Sequence, residues 1–404
     1  MPARPLAVLA AALAALAAAS PAVASRSSLD SRLTRALHAP DVAFSASAAV
    51  AVDLETGQVV YAHNATLPLI PASNEKLAVT YAALTALGPG FRIETDVLGE
   101  GMEEGPVWHG DLVLKGYGDP TLSSTSLALL ARQVRAGGIT QVTGGVVADE
   151  TWFDARRTAP GWKASFYINE SPPLSALIVD RGLAGTRTSR APALAAAQLF
   201  HEALKRAGVH VAHASRLGVA GDDAVVLGAV DSPRLSTLVH WMDVSSDNFT
   251  AEMLVKELGA VQAGKGTTAA GLRVVGSQLA QAGVPLVGVR LVDGSGLSRL
   301  DRMTASTLVS LLHVMWRDPE LRTDVVASLP IAGRTGTLHD RMRGTPAAGV
   351  VRAKTGTTDD ATALSGFVGD RYVFSVLVNG APVSWTWSRV AEDRFASALA
   401  KQAR

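Results

Sequence analysis

Pro71-Ala72-Ser73-Asn74-Glu75-Lys76 stands where an alternating apolar segment, residues 49–61, gives way to the almost wholly apolar residues 77–87, closed by Gly88-Pro89-Gly90. Such a run reads as a core helix, because a helix that is hydrophobic all round has no face for water. Residues three apart share a helix face, so the Lys76 amine can reach the Ser73 hydroxyl. In a dry place a lysine gives up its proton more readily, and a neutral amine beside a serine makes a nucleophile. A capping serine and a snorkelling lysine would look the same in isolation. Partners further along the chain decide between the two.

The chain has 404 residues, which is more than one ordinary core holds and predicts two domains. With 48% hydrophobic residues and a net charge of +1, it offers no electrostatic footprint for nucleic acid. Arg4, the apolar run 6–19 and Ala22-Val23-Ala24 together predict a secretory signal peptide over residues 1–24, cleaved near Ala24-Ser25. The run is shorter than the roughly 20 residues a membrane span needs, and no other stretch is apolar enough for one. The chain has no cysteine, which excludes disulfides, thiolate metal sites, a cysteine nucleophile and a lipidated cysteine anchor. The expected location is extracytoplasmic: periplasm, cell wall or medium.

Around the opening stretch, residues 47–53 and 58–62 read as strands joined by the turn residues Asp53-Leu54-Glu55-Thr56-Gly57. From Arg92 to about residue 230 short strands (93–98, 107–115, 141–148, 209–220, 224–230) alternate with helices (126–136, 193–207), the pattern of an α/β unit. Helical segments 235–242 and 250–258 flank Ser245-Ser246-Asp247-Asn248, and another helix is expected over 304–316. The chain ends in a meander (349–354, 363–369, 372–380) and a helix from 385 to 402. The meander and its helix predict an antiparallel sheet packed by helices, to which 47–62 could add.

Ser73-x-x-Lys76, Ser246-Asp247-Asn248 and Lys354-Thr355-Gly356 are the three elements found together in penicillin-interacting serine enzymes. Their order fits, and so does each context: a helix start, a loop between helices, and a strand end before glycine. Of the eight lysines only Lys76 has a serine three residues upstream. The chemistry uses each part. Ser73 attacks a carbonyl carbon while Lys76 takes its proton. Ser246 passes a proton to the leaving amine, Lys354 holds that network and adds positive charge, and Asn248 orients Lys76 and the substrate amide. The oxyanion needs two aimed N–H donors, here the backbone of Ser73 and of Thr357. Gly356 lets substrate approach the strand closely, and Thr355 can donate to a terminal carboxylate.

With these motifs the chain resembles the D-alanyl-D-alanine carboxypeptidase/endopeptidase family, the class C low-molecular-mass penicillin-binding proteins. Further family wording stands at Gly116-Tyr117-Gly118-Asp119-Pro120, Asp293-Gly294-Ser295-Gly296-Leu297-Ser298-Arg299 and Arg341-Met342-Arg343-Gly344-Thr345. The resemblance runs from about Ala49 to Gly380. It implies a fold of the α/β (α+β) kind: a transpeptidase/serine β-lactamase-like domain, residues 25–95 and 232–404, split by a smaller inserted α/β domain, 96–231. It also implies serine carboxypeptidase activity on peptidoglycan stem peptides, with endopeptidase activity possible on the same acyl-enzyme. β-Lactam antibiotics are then covalent inhibitors, and no cofactor or metal is needed. In the family a side pocket of the insert reads the free amine of diaminopimelate; Asp149 matches its acidic residue, although a turn aspartate would look the same. Larger members carry a third domain, and only residues 181–192 are free to hold one here, so its absence is expected. Glu75 adds a charge beside the lysine with no assigned role.

Other features compete and lose. Arg334-Thr335-Gly336 opens a turn-rich stretch instead of ending a strand. Gly259 to Gly266 nearly spells a phosphate loop but has Gly266 where Ser or Thr is needed, and reads as a surface turn. Gly294-Ser295-Gly296 lacks the leading glycine of a nucleophile elbow. The histidines show no metal-binding spacing. A serine β-lactamase is the rival enzyme, yet Glu170 is followed by Ser171-Pro172 and not by the Leu-Asn of a class A deacylating glutamate. A catalytically silent peptidoglycan-binding protein is the other rival, and the full set of catalytic residue types counts against it.

Overall fold

A computed structural model describes residues 21–404; the expected leader, 1–24, falls almost entirely outside them. Two main sheets organise the described chain. The first is a five-stranded antiparallel sheet in the spatial order Val351–Thr357, Ala361–Val368, Tyr372–Asn379, Ser47–Asp53, Val59–His63. Ser47 lies opposite Val378 and Asp53 opposite Tyr372, so the N-terminal hairpin extends the C-terminal meander.

Helices cover both faces of this sheet. Lys76–Leu87, Leu235–Ser245, Asn248–Ala263, Thr268–Gln281 and Ala305–Arg317 form a core on one side. Pro21–Leu37 and Trp385–Ala403 close the other. The interior strand Ala361–Val368 is therefore buried at every position, and its sequence carries small and apolar residues in place of a polar alternation. The helix Lys76–Leu87 lies in the first core, with Leu77 and Leu84 fully buried. Truncating either to alanine costs roughly 2–5 kcal/mol.

The second sheet is mixed and built wholly from residues between Glu94 and Asp231: Arg216–Leu217, Val146–Asp149, Val107–Gly116, Glu94–Glu104 and Val225–Asp231, with Gln141–Val142 and His210–Val211 alongside. The helices Ser124–Ala136 and Pro192–Arg206 pack their apolar residues on it. The single strand expected over 141–148 is broken. Asp111 accepts the Gly145 N–H at 2.7 Å and Thr143 accepts the Gly110 N–H at 3.1 Å, and these side-chain bonds interrupt the ladder. Residues 181–192 hold only a short pairing of Leu183–Ala184 with Arg187–Thr188.

Two helices were not read from the sequence. Thr268–Gln281 is capped by Thr267, but its glycines blur the apolar period; Arg322–Ser328 is only seven residues long. The helix Asn248–Ala263 also continues through Gly259, so the turn expected over 259–266 begins only at Gly264, at φ 63°. Phe153, Leu174 and Ile178 pack on Phe249 and Met253 of that helix, which seats the second-sheet region on the element that carries Asn248. Among the described residues no helix is long and apolar enough to cross a membrane.

Candidate active site

Ser73 sits on a 3-10 turn, Ala72–Glu75, that leads into the α-helix Lys76–Leu87. The sequence pattern predicts an α-helical first turn; the tighter geometry follows from Ala72, which is held at φ 47°. An alanine there is strained, and close packing holds it. A Cβ on Gly296 would lie 1.9 Å from the Ala72 carbonyl oxygen, and one on Gly356 would lie 2.9 Å from the Pro71 oxygen. Only glycine at both positions lets the 293–298 turn and the strand Val351–Thr357 close on the nucleophile turn. Gly356 thus serves the packing of Ser73 as well as the approach of a substrate. Asn74 locks the same contact by donating to the Lys354 carbonyl at 3.1 Å.

Lys76 is fully buried. Its Nζ lies 2.9 Å from Ser73 Oγ, 2.8 Å from Asn248 Oδ1 and 2.6 Å from the Ser295 carbonyl oxygen. Burial lowers its pKa to about 8, against the opposing pull of Asp293 and Glu252. The partner set matters for the chemistry. A neutral amine has two N–H bonds, which the two carbonyl oxygens accept, and one lone pair, which is left facing the serine hydroxyl.

The Ser246-Asp247-Asn248 spacing follows from a junction between helices. Ser246 ends the helix Leu235–Ser245 in the left-handed region, at φ 61° and ψ 39°. Asp247 caps the next helix by accepting from Phe249 N at 3.0 Å, and pairs with Arg181 at 2.6 Å. Asn248 is the first residue of that helix, with its Nδ2 donating to the Glu170 carbonyl at 3.1 Å. The two residues on either side of Asp247 therefore both face the cleft while Asp247 holds the junction.

Lys354 stands on the edge strand of the five-stranded sheet. Ala332 N and the Pro330 carbonyl cover that edge at Val351 and Ala353, and the strand's last residues run on beside the cleft. Lys354 Nζ donates to Ser246 Oγ at 2.7 Å and to the Thr355 carbonyl at 3.0 Å. Burial and then the charge of Lys76 lower its pKa to about 7, while Asp243 opposes the shift. Two buried amines close to one another cannot both hold protons cheaply.

The cleft has a volume of about 480 Å³ and is lined by Ser73, Ser246, Asn248, Thr355 and Thr357, with Glu170, Thr337 and Arg389 at its rim. Two of these, and one residue behind the cleft, were not anticipated. Arg389, from the terminal helix, donates to Thr357 Oγ1 at 3.2 Å. Thr337, one residue past the discarded Arg334-Thr335-Gly336, accepts from Thr355 Oγ1 at 2.7 Å. Ser295, discarded as a nucleophile, supplies a backbone carbonyl to Lys76. Arg389 has no sequence signal, Thr337 only its place beside Arg334-Thr335-Gly336, and Ser295 lies inside the 293–299 wording, which does not announce a role for its carbonyl. Asp149 stands apart from these residues, in the second sheet. Its carboxylate has no exposed surface, and it accepts from Thr151 N and Oγ1 (2.9 and 2.7 Å) and from Ala220 N (3.0 Å). It does not line the cleft; Lys115 Nζ lies 3.8 Å from its Oδ2, and its neighbours Ala148, Glu150 and Thr151 line a separate pocket of the second-sheet region.

The model of the D-Ala-D-Ala carboxypeptidase 3 (S13) family matches residues 29–190 and 183–402. The D-alanyl-D-alanine carboxypeptidase of Actinomadura sp. (strain R39) is 35% identical over 429 aligned positions, covering 85% of this chain and 79% of the relative. Carboxypeptidase DacB of Mycolicibacterium smegmatis is 32% identical, covering 93% and 84%. The crystal structure of penicillin binding protein 4 from Haemophilus influenzae superimposes with a TM-score of 0.80 at 21% identity, over 92% of this chain and 98% of that one; at that identity the likeness concerns the fold. On the match along nearly its whole length, the chain belongs to the D-Ala-D-Ala carboxypeptidase 3 (S13) family.

Proposed function

We propose that the protein is a serine D-Ala-D-Ala carboxypeptidase that acts on peptidoglycan stem peptides through an acyl-enzyme on Ser73 and is acylated in the same way by β-lactams. The observation that carries this reading is Lys76, whose buried amine touches Ser73 Oγ and two carbonyl oxygens and is hydrogen-bonded to no carboxylate. Lys76 accepts the Ser73 proton as Oγ attacks the carbonyl carbon of the penultimate D-Ala. The oxyanion is received by the Ser73 and Thr357 N–H groups. The leaving D-Ala amine takes a proton from Ser246 Oγ, which Lys354 resupplies. The proton held by Lys76 then passes to the depleted Lys354, which leaves Lys76 neutral; a water attacks the ester, Lys76 takes the water's proton and hands it to Ser73 Oγ as the acyl bond breaks.

The substrate lies along the open end of the strand Val351–Thr357, where its backbone can add to the edge. Its terminal carboxylate meets Thr355, Thr357 and the guanidinium of Arg389, a cation suited to that group. The catalytic domain comprises residues 25–95 and 232–404, and residues 96–231 form the inserted domain; a second sheet built only from strands between Glu94 and Asp231 supports this division. The leader over 1–24 directs export, in keeping with a wall substrate. Incubating the purified protein with a pentapeptide ending in D-Ala-D-Ala tests the reading. Release of free D-Ala, stopped by prior treatment with penicillin, is expected. Rapid penicillin hydrolysis without D-Ala release would assign the protein to the β-lactamases instead.

A further inference from the structure

Behind the nucleophile turn lies a group of acids that the mechanism above leaves without work. Glu75 comes from the turn itself, Glu252 from the helix Asn248–Ala263, and Asp293 and Asp301 from the segment between the helices Thr268–Gln281 and Ala305–Arg317. All four are buried, and one carboxylate oxygen each of Glu75, Asp293 and Asp301 lies within 4.8 Å of the others. Their remaining bonds are unequal. Asp293 accepts from Trp162 Nε1, Ser295 Oγ, Gly296 N and Ser298 N. Glu252 Oε1 accepts from Gly294 N and Ser295 N, and Asp301 Oδ1 from Val292 N. Both oxygens of Glu75, Oδ2 of Asp301 and Oε2 of Glu252 have no N–H or O–H donor.

An unpaired carboxylate that deep is costly unless something positive lies against it. The two lysines near the group are engaged elsewhere: Lys76 with Ser73, Asn248 and the Ser295 carbonyl, and Lys256 with Asp154 and the Arg156 carbonyl. A divalent cation would find only carboxylate oxygens in an enclosed space, short of the six or more oxygen ligands that hard cations prefer. A proton fits better. Two carboxyl groups facing each other can share one, the neutral group donating to the charged one.

We propose that Glu75 and Asp301 form a carboxyl–carboxylate pair holding one proton, and that this pair, through Asp293, fixes the 293–298 turn whose Ser295 carbonyl grips Lys76. Glu75 is then a positioning residue for the base. The charged groups facing the pair are Asp293 and Glu252, both of which disfavour a second negative charge; Lys76 acts on those two acids in turn. Burial comes first and the neighbouring acids second in raising Glu75 well above the usual carboxylate range and Asp301 to about 10. The native pair keeps a proton that the unfolded chain gives up above about pH 4, so its contribution is present at low pH and is lost as the pH rises through the raised native value.

This inference rests on Lys76 being the base, and the test separates the two. Acylation by labelled penicillin and thermal unfolding are followed against pH for the parent, E75Q, D301N and E75L. In E75Q and D301N an amide replaces one carboxyl, so the pair still carries one negative charge. The acid limb of their acylation profiles should stay within about 0.3 pH unit of the parent, and their unfolding temperature should fall less than the parent's between pH 7 and 10. E75L, which can neither donate nor accept, should acylate about tenfold more slowly, with E75Q restoring the rate. An acid limb displaced to lower pH in E75Q would mean that both groups are ionised in the parent, and would overturn the proposal. So would a parent stabilised by Ca2+, Mg2+ or Mn2+ and a variant that is not, or E75L acylating at the parental rate. A parent that fails to acylate at all would instead remove the catalytic reading on which this one stands.

Discussion

Lys76, Lys256 and Lys354 are equally buried, with no exposed surface, yet they belong to two regions with opposite logic. At the junction with the second-sheet region, Lys256 donates to the Asp154 carboxylate and to the Arg156 carbonyl, the latter at 3.0 Å. In the cleft, Lys76 and Lys354 have hydroxyl, amide and carbonyl partners only. Burial is the leading cause that lowers all three, but Lys256 has a direct counter-charge and the other two do not. A buried lysine bonded to a carboxylate holds structure. A buried lysine bonded to neutral groups is ready to lose its proton, and the cleft holds two of them side by side.

Substitution should separate the regions. K76M removes the base and should slow penicillin acylation by roughly 10³-fold with the fold retained, since a methionine fills the same space. In the parent the acylation rate should rise with pH and level off near the Lys76 value of about 8, because the amine must be neutral to accept the serine proton. R389A should raise KM for a D-Ala-D-Ala peptide about tenfold with little change in kcat, the loss of one charge-assisted contact to the terminal carboxylate. K256M should leave the acylation rate of the folded protein unchanged and lower its unfolding free energy by roughly 2–3 kcal/mol, the lower end for a broken buried pair because Asp154 is partly exposed. D149N should be milder still, costing about 1 kcal/mol of stability and altering KM less than twofold.

The difference between the two regions was only half legible in the sequence. Lys76 was singled out by the serine three residues before it, and Lys354 by the Thr-Gly that follows, because those motifs encode short-range geometry on one turn and one strand. Lys256 has no such neighbour, and its counter-ion Asp154 is about a hundred residues away. The same limit explains the rest. The meander and the Ser47–Asp53 strand were readable because their burial pattern is local, whereas the break at Thr143-Gly144-Gly145 depends on Asp111 from another strand. Asp149 meets Ala220 N and the Lys115 amine, which come from other parts of the second-sheet region and are not announced by the residues beside it in the chain. Glu75 carried a charge whose meaning appears only when Asp293 and Asp301 fold against it. Arg389 reached the cleft from the last helix, with nothing nearby in the chain to announce it.

The central claim is that Ser73 is the nucleophile and that a neutral Lys76 activates it. The most direct measurement is peptide mapping by mass spectrometry after brief exposure of the parent, S73A and K76M to penicillin at pH 8. The account predicts one penicilloyl adduct in the parent, on the peptide containing Ser73, none in S73A, and only slow adduct formation on that same peptide in K76M. An adduct on any other serine of the parent, or labelling that persists in S73A, would contradict it.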